Sequence, residues 1–173
     1  MKTRTLILSL IASVWIVACS SNAKGDKFNA SGNSEDAIQT SNTSSNASSA
    51  GEPIHINKAV FLEKVYNFEN NPNEWSYAGT KPCIVDFYAD WCRPCKMIAP
   101  YMAELASTYK DQIVVYKINI DEEREIAQFF GIQSIPTVLF CPMKGKPQMT
   151  QGALPKEDFE KAVREILLKS QSN

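Results

Sequence analysis

Two cysteines separated by two residues, Cys92 and Cys95, are the side chains best suited to redox chemistry in this 173-residue chain. Thiols at this spacing can close a small disulfide ring, and the pair closely follows the apolar, strand-like run that ends at Ala89. A cysteine at the start of a helix lies beside unpaired backbone N–H groups and the positive end of the helix dipole, which favour its thiolate. Pro94 suits the first turn of such a helix, because it has no N–H to lose and its φ is already helical. We therefore expect Cys92 to attack a disulfide first and Cys95 to act second.

The amino terminus predicts that the chain is exported from a bacterial cytoplasm. Lys2 and Arg4 precede an apolar run over residues 6–18, and this pattern is typical of a signal peptide spanning residues 1–18. An aliphatic residue and small residues before Cys19 resemble the lipobox of bacterial lipoproteins, in which lipid is attached to the cysteine sulfur before cleavage. A plain signal peptide and an uncleaved anchor are the alternatives, and both also place the protein outside the cytoplasm.

Two further regions follow this leader. Residues 19–51 are rich in Ser, Asn, Ala, Thr and Gly and bury too little apolar surface to offset the entropy of ordering them, so we expect a flexible tether. Residues 52–173 have the length of one ordinary domain. With 18 Lys plus Arg against 19 Asp plus Glu, the chain lacks the basic charge of a nucleic-acid-binding protein.

Hydrophobic periodicity predicts an alternation of strands and helices in this domain. Strands are expected at 54–56, 83–89, 113–120, 137–141 and around Met149, and helices at 93–109, 122–130 and 156–169. Another helix after the cap Asn57 has apolar residues on one face, namely Val60, Phe61, Val65 and Phe68. This order predicts an α/β fold with a central mixed β-sheet flanked by helices on both faces.

The domain resembles the thioredoxin family over most of residues 54–168. The matching stretches are Ile84-Val85-Asp86-Phe87-Tyr88-Ala89-Asp90-Trp91-Cys92, Lys96-Met97-Ile98-Ala99-Pro100, Lys117-Ile118-Asn119-Ile120-Asp121, Gly131-Ile132-Gln133-Ser134-Ile135-Pro136-Thr137 and Gly152-Ala153-Leu154. Several motifs at compatible spacing are far more specific than one pair of cysteines. The resemblance implies the thioredoxin fold and a redox-active Cys92–Cys95 disulfide, with no cofactor besides it.

Asp86 lies in the middle of an apolar strand, where a buried carboxylate is costly. The resemblance implies that it is the family's buried aspartate beneath the active site, which accepts a proton from Cys95 through water. Lys117 matches the lysine near that carboxylate. The alternatives are an Asp86 satisfied by backbone donors and a Lys117 that is an ordinary solvated lysine.

Other matched residues are expected to bind the substrate. Ile135-Pro136 resembles the family's cis-proline loop, which offers backbone groups to an extended substrate segment beside the reactive sulfur. Trp91, Ile135 and Ala153 would then form an apolar rim around Cys92. The alternative is that these apolar side chains belong to the core.

Arg93 departs from the family pattern, because thioredoxins usually carry glycine at this position. A guanidinium next to Cys92 favours the thiolate, stabilises the reduced form and makes the disulfide more oxidising. An exposed charge pair is worth about 1 kcal/mol or less, whereas reducing and strongly oxidising members of the superfamily differ by about 7 kcal/mol. We therefore expect Arg93 to leave the protein on the reducing side.

Cys83 and Cys141 lie on strands that would bring them together at the end of the sheet away from the active site. We expect two buried free thiols, with a structural disulfide as the alternative that an exported location permits. His55 is the only histidine, so a Cys/His nucleophile pair is poorly supported, and we expect a surface position for it.

The function that these features predict is an exported thiol–disulfide oxidoreductase that reduces protein disulfides. Its expected partners are protein disulfide substrates and a membrane electron donor. We expect a monomer in the bacterial periplasm or cell envelope, held at a membrane by lipid on Cys19. A specialised reductase of cytochrome c maturation is the alternative, although the segment from Ile120 to Pro136 is as short as in a plain thioredoxin. A metal-binding module would need ligands beyond Cys92 and Cys95, and the chain has no second close Cys/His pair.

Overall fold

The structure is a computed structural model that describes residues 51–169. These residues form five β-strands and four α-helices, in the order β1 Ile54–His55, α1 Lys58–Lys64, β2 Cys83–Tyr88, α2 Arg93–Thr108, β3 Val114–Asn119, α3 Arg124–Phe129, β4 Thr137–Cys141, β5 Gln148–Gln151 and α4 Lys156–Ala162. A π-helical segment, Val163–Leu168, continues α4.

The five strands form one mixed sheet in the order β1-β3-β2-β4-β5. Strands β1 and β2 each pair with β3 in parallel, whereas β4 is antiparallel to both β2 and β5. This arrangement confirms the predicted fold class. The central strand β2 is buried over most of its length, and its carboxyl end delivers the chain to the cysteine motif.

Each face of the sheet packs against helices, because alternate side chains of every strand point to opposite faces. The first face buries residues of α1 and α3 against the strands, and this core contains Phe61, Val85, Phe87, Ile118, Ile126 and Leu139. The second face packs against α2, α4 and the π-helical segment, and its core contains Ile84, Ile98, Met102, Phe140, Phe159 and Leu167. Each such side chain contributes about 1.5–3 kcal/mol when it is fully buried, so the second core holds α2 firmly against the sheet.

The first helix is shorter than predicted. It ends at Lys64, and the next backbone carbonyl, that of Val65, accepts a hydrogen bond from Ala78 at 2.9 Å. Tyr66 and Tyr77 form an isolated antiparallel bridge, so the chain has left the helix before Phe68. Phe68 is nevertheless buried in the same core, because the loop folds back over it.

Several predicted features lie outside the described residues. These are the signal peptide over residues 1–18, the lipid site at Cys19 and all of the predicted tether except Gly51. Between residues 51 and 169, no helix has the length and apolar character needed to cross a bilayer.

Candidate active site

Cys92 and Cys95 form a disulfide at the start of α2, with an S–S distance of 2.06 Å and a Cα–Cα distance of 5.3 Å. A tight turn after β2 places them there, since the backbone N–H of Cys92 donates to the carbonyl of Ala89 at 3.0 Å. Cys92 is the N-cap of the helix, and its Sγ accepts a hydrogen bond from the backbone N–H of Cys95 at 3.1 Å. A negative charge on this sulfur would be stabilised by the N–H group and by the helix dipole.

Burial does not distinguish the two cysteines. Cys92 is 2% exposed and Cys95 is 4% exposed, so both are shielded in the disulfide form. The helix cap does distinguish them, because only Cys92 occupies the position where a thiolate meets free N–H groups. Arg93 and Pro94 are the first two residues of α2 and both are exposed, which leaves the guanidinium free to act on the motif through solvent.

The loop before β4 lies against the disulfide. The Ile135–Pro136 peptide bond is cis, which confirms that expectation. Ile135 is half-buried and packs against the small cluster formed by Ala89, Cys92 and Cys95. This contact places one predicted rim residue against the cluster that contains both cysteines.

The end of β5 is joined to the same loop. The backbone N–H of Gly152 donates to the carbonyl of Pro136 at 2.8 Å, and Gly152 has a φ of +90° that suits glycine at this turn. The next residue, Ala153, is exposed. The hydrogen bond therefore brings Ala153 to the edge of the loop that carries Ile135.

Trp91 lies on the surface beside the motif and is 68% exposed, so it is not a core residue. Its indole Nε1–H donates to the Asp121 carboxylate at 2.8 Å. The backbone N–H of Asp121 in turn donates to the Asn119 side-chain oxygen at 3.0 Å. A large apolar ring is thus held in the open next to Cys92, which suits contact with a partner chain.

Asp86 is fully buried in β2, and neither of its carboxylate oxygens has a hydrogen-bond partner among the described residues. The alternative of an aspartate satisfied by backbone donors is therefore wrong. Burial raises the pKa of Asp86 to about 6, and the positive charge of Lys117 opposes that rise. A carboxyl group with such a pKa can both accept and release a proton close to neutral pH.

Lys117 lies beside Asp86 on the neighbouring strand, since the two residues are partners in the β2–β3 register. Its ammonium group also lies 4.3 Å from the centre of the Tyr88 ring. The structure thus brings together the two residues that the sequence predicts for proton transfer. Their catalytic roles remain predictions.

Two neighbours of the site were missed at the sequence level. Asp121 holds Trp91, and Tyr88 lies against Lys117. Tyr88 could have been found by counting along β2, because alternate residues of a strand share a face and Tyr88 is two residues beyond Asp86. The partnership of Asp121 with Trp91 had no such signal, because thirty residues separate them.

Cys83 and Cys141 lie at the other end of the sheet. They are directly opposite each other on the antiparallel strands β2 and β4, and both are fully buried. Both thiols are free, as expected, and burial together with the neighbouring Cys83 raises the pKa of the Cys141 thiol. Since Cys83 begins β2 and the redox motif follows the end of that strand, the pair is separate from the active site.

Within residues 51–169, no group of three or more His, Cys, Asp and Glu side chains is arranged to hold a metal ion.

Comparison with known proteins agrees with this architecture and this site. The family model described as Thioredoxin matches residues 60–165. The thioredoxin of Borreliella burgdorferi is 40% identical over 113 residues, which cover 65% of this chain and 96% of that protein. The thioredoxin of Alicyclobacillus acidocaldarius is 43% identical over 91 residues, which cover 51% of this chain and 85% of that protein.

Solved structures show the same fold. Chloroplastic thioredoxin z superimposes with a TM-score of 0.54 at 22% identity, over 70% of this chain and 96% of that one. A mutant thioredoxin from Halobacterium salinarum gives a TM-score of 0.53 at 25% identity, over 67% and 91% of the two chains. Its sequence, its fold and the redox-active disulfide Cys92–Cys95 together establish that the chain belongs to the thioredoxin family of thiol–disulfide oxidoreductases.

Proposed function

We propose that this oxidoreductase is exported, tethered to a membrane through lipid on Cys19, and reduces protein disulfides. The observation that carries the catalytic part is the position of Cys92 as the N-cap of α2, where its sulfur accepts the N–H of Cys95. The charged and apolar leader, ending at Cys19, supports export and lipid attachment. The reducing direction is supported by the small effect expected of Arg93. An exposed charge of this kind is worth about 1 kcal/mol or less, too little to move the disulfide from the reducing range of thioredoxins to the strongly oxidising range.

Reduction proceeds in two exchanges. The Cys92 thiolate attacks one sulfur of the substrate disulfide, so that a mixed disulfide forms and the first substrate thiolate leaves. Cys95 then gives up its proton and attacks the sulfur of Cys92, which releases the second substrate thiolate and closes the Cys92–Cys95 disulfide. Two electrons pass to the substrate, and each departing thiolate takes up one proton.

Asp86 receives the proton of Cys95 in the second exchange. Its pKa of about 6 means that the carboxyl group is mostly ionised at neutral pH and available as a base. Because Asp86 makes no hydrogen bond to the described protein groups, the transfer to it runs through water. Asp86 therefore acts as the general base for the resolving thiol.

The substrate segment docks where apolar and backbone groups converge on Cys92. The cis-proline loop offers its backbone to an extended chain, and Ile135 already packs against the disulfide. The exposed Trp91 and Ala153 complete the rim.

A membrane protein that supplies two electrons and two protons returns the disulfide to the dithiol between cycles.

The compact connection between β3 and β4 favours a general reductase over a specialised one. Between Asn119 and Thr137 the only helix is α3, which is six residues long. A reductase of cytochrome c maturation is expected to have an extra segment between the central strand and the cis-proline loop. This connection is too short to contain one.

The catalytic proposal is tested by reduction of insulin disulfides and by the equilibrium potential of the Cys92–Cys95 couple against glutathione. We expect the protein to reduce insulin and to equilibrate near the reducing thioredoxin range, about −270 mV. Cys92→Ser must abolish turnover, while Cys95→Ser should trap the mixed disulfide. A potential near −120 mV, the range of strong oxidants, would contradict the reducing direction.

The tether proposal is tested by feeding labelled fatty acid to bacteria that express the full chain. We expect label on the protein and recovery of the protein with membranes. Cys19→Ala should lose the label, and the chain should not acquire lipid elsewhere. Equal labelling of the wild type and Cys19→Ala, or none in either, would refute lipid attachment at this residue.

A further inference from the structure

Three ionisable side chains lie side by side across the sheet beneath the active site. His55 on the edge strand β1 is the register partner of Lys117 on β3, and Lys117 is the register partner of Asp86 on β2. Residues that are partners in a register point to the same face, so all three lie on the α2 side of the sheet. The row leads from the surface at His55 to the buried carboxyl group of Asp86.

Tyr88 connects His55 with Lys117 in this row. Its hydroxyl lies 3.0 Å from His55 Nδ1, and the two rings meet edge to face at 5.5 Å. The Lys117 ammonium lies over the same tyrosine ring at 4.3 Å, well within the range of a cation–π contact. The tyrosine is thus held at one end by His55 and binds the lysine with its face.

A pocket of about 210 Å³ joins this group to the resolving cysteine. Its walls include His55, Tyr88, Asp90, Cys95, Lys96 and Lys117. The lining is mostly apolar, but it includes the ionisable groups of His55, Asp90 and Lys117, and the volume is large enough for water. Protons leaving Cys95 can therefore reach solvent past these side chains.

We propose that the Tyr88–His55 hydrogen bond is a positioning device, which fixes the Lys117 ammonium over the Tyr88 ring, on the strand next to Asp86, and so controls how readily Asp86 takes the proton of Cys95. His55 and Tyr88 act through Lys117 and do not touch the reacting sulfurs in this scheme. The inference rests on the thiol–disulfide activity in the proposed function, but it does not depend on export or on the direction of electron flow.

The charges around the row are consistent with this role. Asp86 has Lys117 on one side and the apolar Val138 of β4 on the other, so Lys117 is the charge that acts on the carboxyl group. A lysine side chain loses considerable rotamer freedom when it is held in one place, and a fixed aromatic ring reduces the number of competing positions. Release of that ring would let the ammonium group move into solvent and away from Asp86.

His55 is suited to hold the tyrosine at neutral pH. Partial burial and the charge of Lys117 lower its pKa, against the opposing effect of Asp90 and Glu122. The neutral imidazole can accept a hydrogen bond from the Tyr88 O–H at Nδ1, whereas protonation turns that nitrogen into a donor. The hydrogen bond therefore has its acceptor in place at pH values above the lowered pKa of His55.

The experiment follows the carboxyl carbon of Asp86 by NMR across a pH titration of the full chain, in the disulfide and dithiol forms. Tyr88→Phe and His55→Leu break the hydrogen bond, while His55→Asn keeps an acceptor near the position of Nδ1. Lys117→Gln removes the charge itself and should therefore give the largest change in the titration midpoint of Asp86. Tyr116→Phe is the matched control, because it deletes a tyrosine hydroxyl on the opposite face of the sheet.

We expect Lys117→Gln to raise the titration midpoint of Asp86. Tyr88→Phe and His55→Leu should raise it by about half a pH unit, the effect of weakening one partly screened charge, and His55→Asn should restore it. Tyr88→Phe in the Lys117→Gln background should add nothing. A Tyr88→Phe midpoint equal to that of the wild type and of Tyr116→Phe would overturn the proposal, as would an equal effect of His55→Asn and His55→Leu.

The titration uses no substrate, which separates this inference from the proposed function. Tyr88→Phe keeps the ring and its packing, so it is informative even if a His55 variant is poorly folded. An unchanged midpoint in an active reductase counts against the positioning role alone. If Tyr88→Phe raises the midpoint as expected but the wild-type protein does not reduce insulin, the result counts against the proposed function alone.

Discussion

The buried carboxyl group of Asp86 makes the stability of the fold depend on pH. Its pKa is about 6 in the folded chain against an ordinary value of 3.8, so between these values the folded state binds more protons than the unfolded state. Stability should therefore fall as pH rises from about 4 to about 6 and stay reduced above that range. The ionised carboxyl group that costs stability is also the form that acts as the base in the proposed reaction.

Asp86→Asn should accordingly stabilise the protein at pH 7 and have little effect below about pH 4. We expect a gain of about 3 kcal/mol in the free energy of unfolding, since a tenfold difference in proton affinity between the folded and unfolded states corresponds to about 1.4 kcal/mol. Urea unfolding of the two proteins at both pH values measures this. The same difference at both pH values would show that the charge of Asp86 is not the cause.

Arg93 should tune the potential only slightly. In Arg93→Gly the thiolate of Cys92 loses a nearby positive charge, so the reduced form is less stable and the potential becomes more negative. Because the side chain is exposed, the change should not exceed about 20 mV, which corresponds to about 1 kcal/mol for two electrons. Equilibration with glutathione and the ultraviolet absorbance of the thiolate measure it, with Arg93→Lys as the charge-preserving control. Identical thiolate absorbance in Arg93→Gly and the wild type would contradict the electrostatic effect.

At the scale of elements, the junction between α1 and β2 depends on a glycine. A Cβ added at Gly79 would lie 2.9 Å from the backbone carbonyl oxygen of Lys64 and would also collide with the Tyr77 hydroxyl. The carbonyl belongs to the last residue of α1, so the contact cannot be relieved by turning a side chain. Because Gly79 has no side chain, the chain can pass close to the end of α1 as it turns back over the first core.

Gly79→Ala should therefore destabilise the protein by about 1–3 kcal/mol, the usual cost of forcing extra atoms into a packed region. Gly131→Ala is the control, because no atom lies within 4 Å of the new Cβ and only its φ of +62° opposes the substitution. That variant should lose about 1 kcal/mol. Urea unfolding compares the two, and a Gly79→Ala protein as stable as the wild type would contradict the predicted collision.

At the scale of the whole molecule, the free thiols of Cys83 and Cys141 report on global unfolding. Both are fully buried between packed layers, so a thiol reagent can reach them only when the sheet opens. In an oxidised Cys19→Ala chain, we expect no labelled thiol in the native state and two after denaturation. Finding none after denaturation would mean that the two cysteines form a disulfide.

The sequence by itself determined the order of the elements, the fold class and the residues of the redox centre. Hydrophobic periodicity is a local property, so β2 and α2 could be recognised from runs of neighbouring residues. The dithiol motif and the helix start that follows it are equally local, which is why Cys92 could be assigned to the start of the helix from the sequence pattern alone. Asp86 stood out because a carboxylate is rare inside such an apolar strand.

Only the tertiary structure decided which distant residues meet. Three contacts join residues that are far apart in the sequence, namely the burial of Phe68, the hydrogen bond from Trp91 to Asp121 and the hydrogen bond between His55 and Tyr88. These contacts depend on strand register and on the paths of loops, and a shift of one residue in register would turn each side chain to the other face. No local pattern encodes that choice, because packing of the whole sheet against its helices selects it.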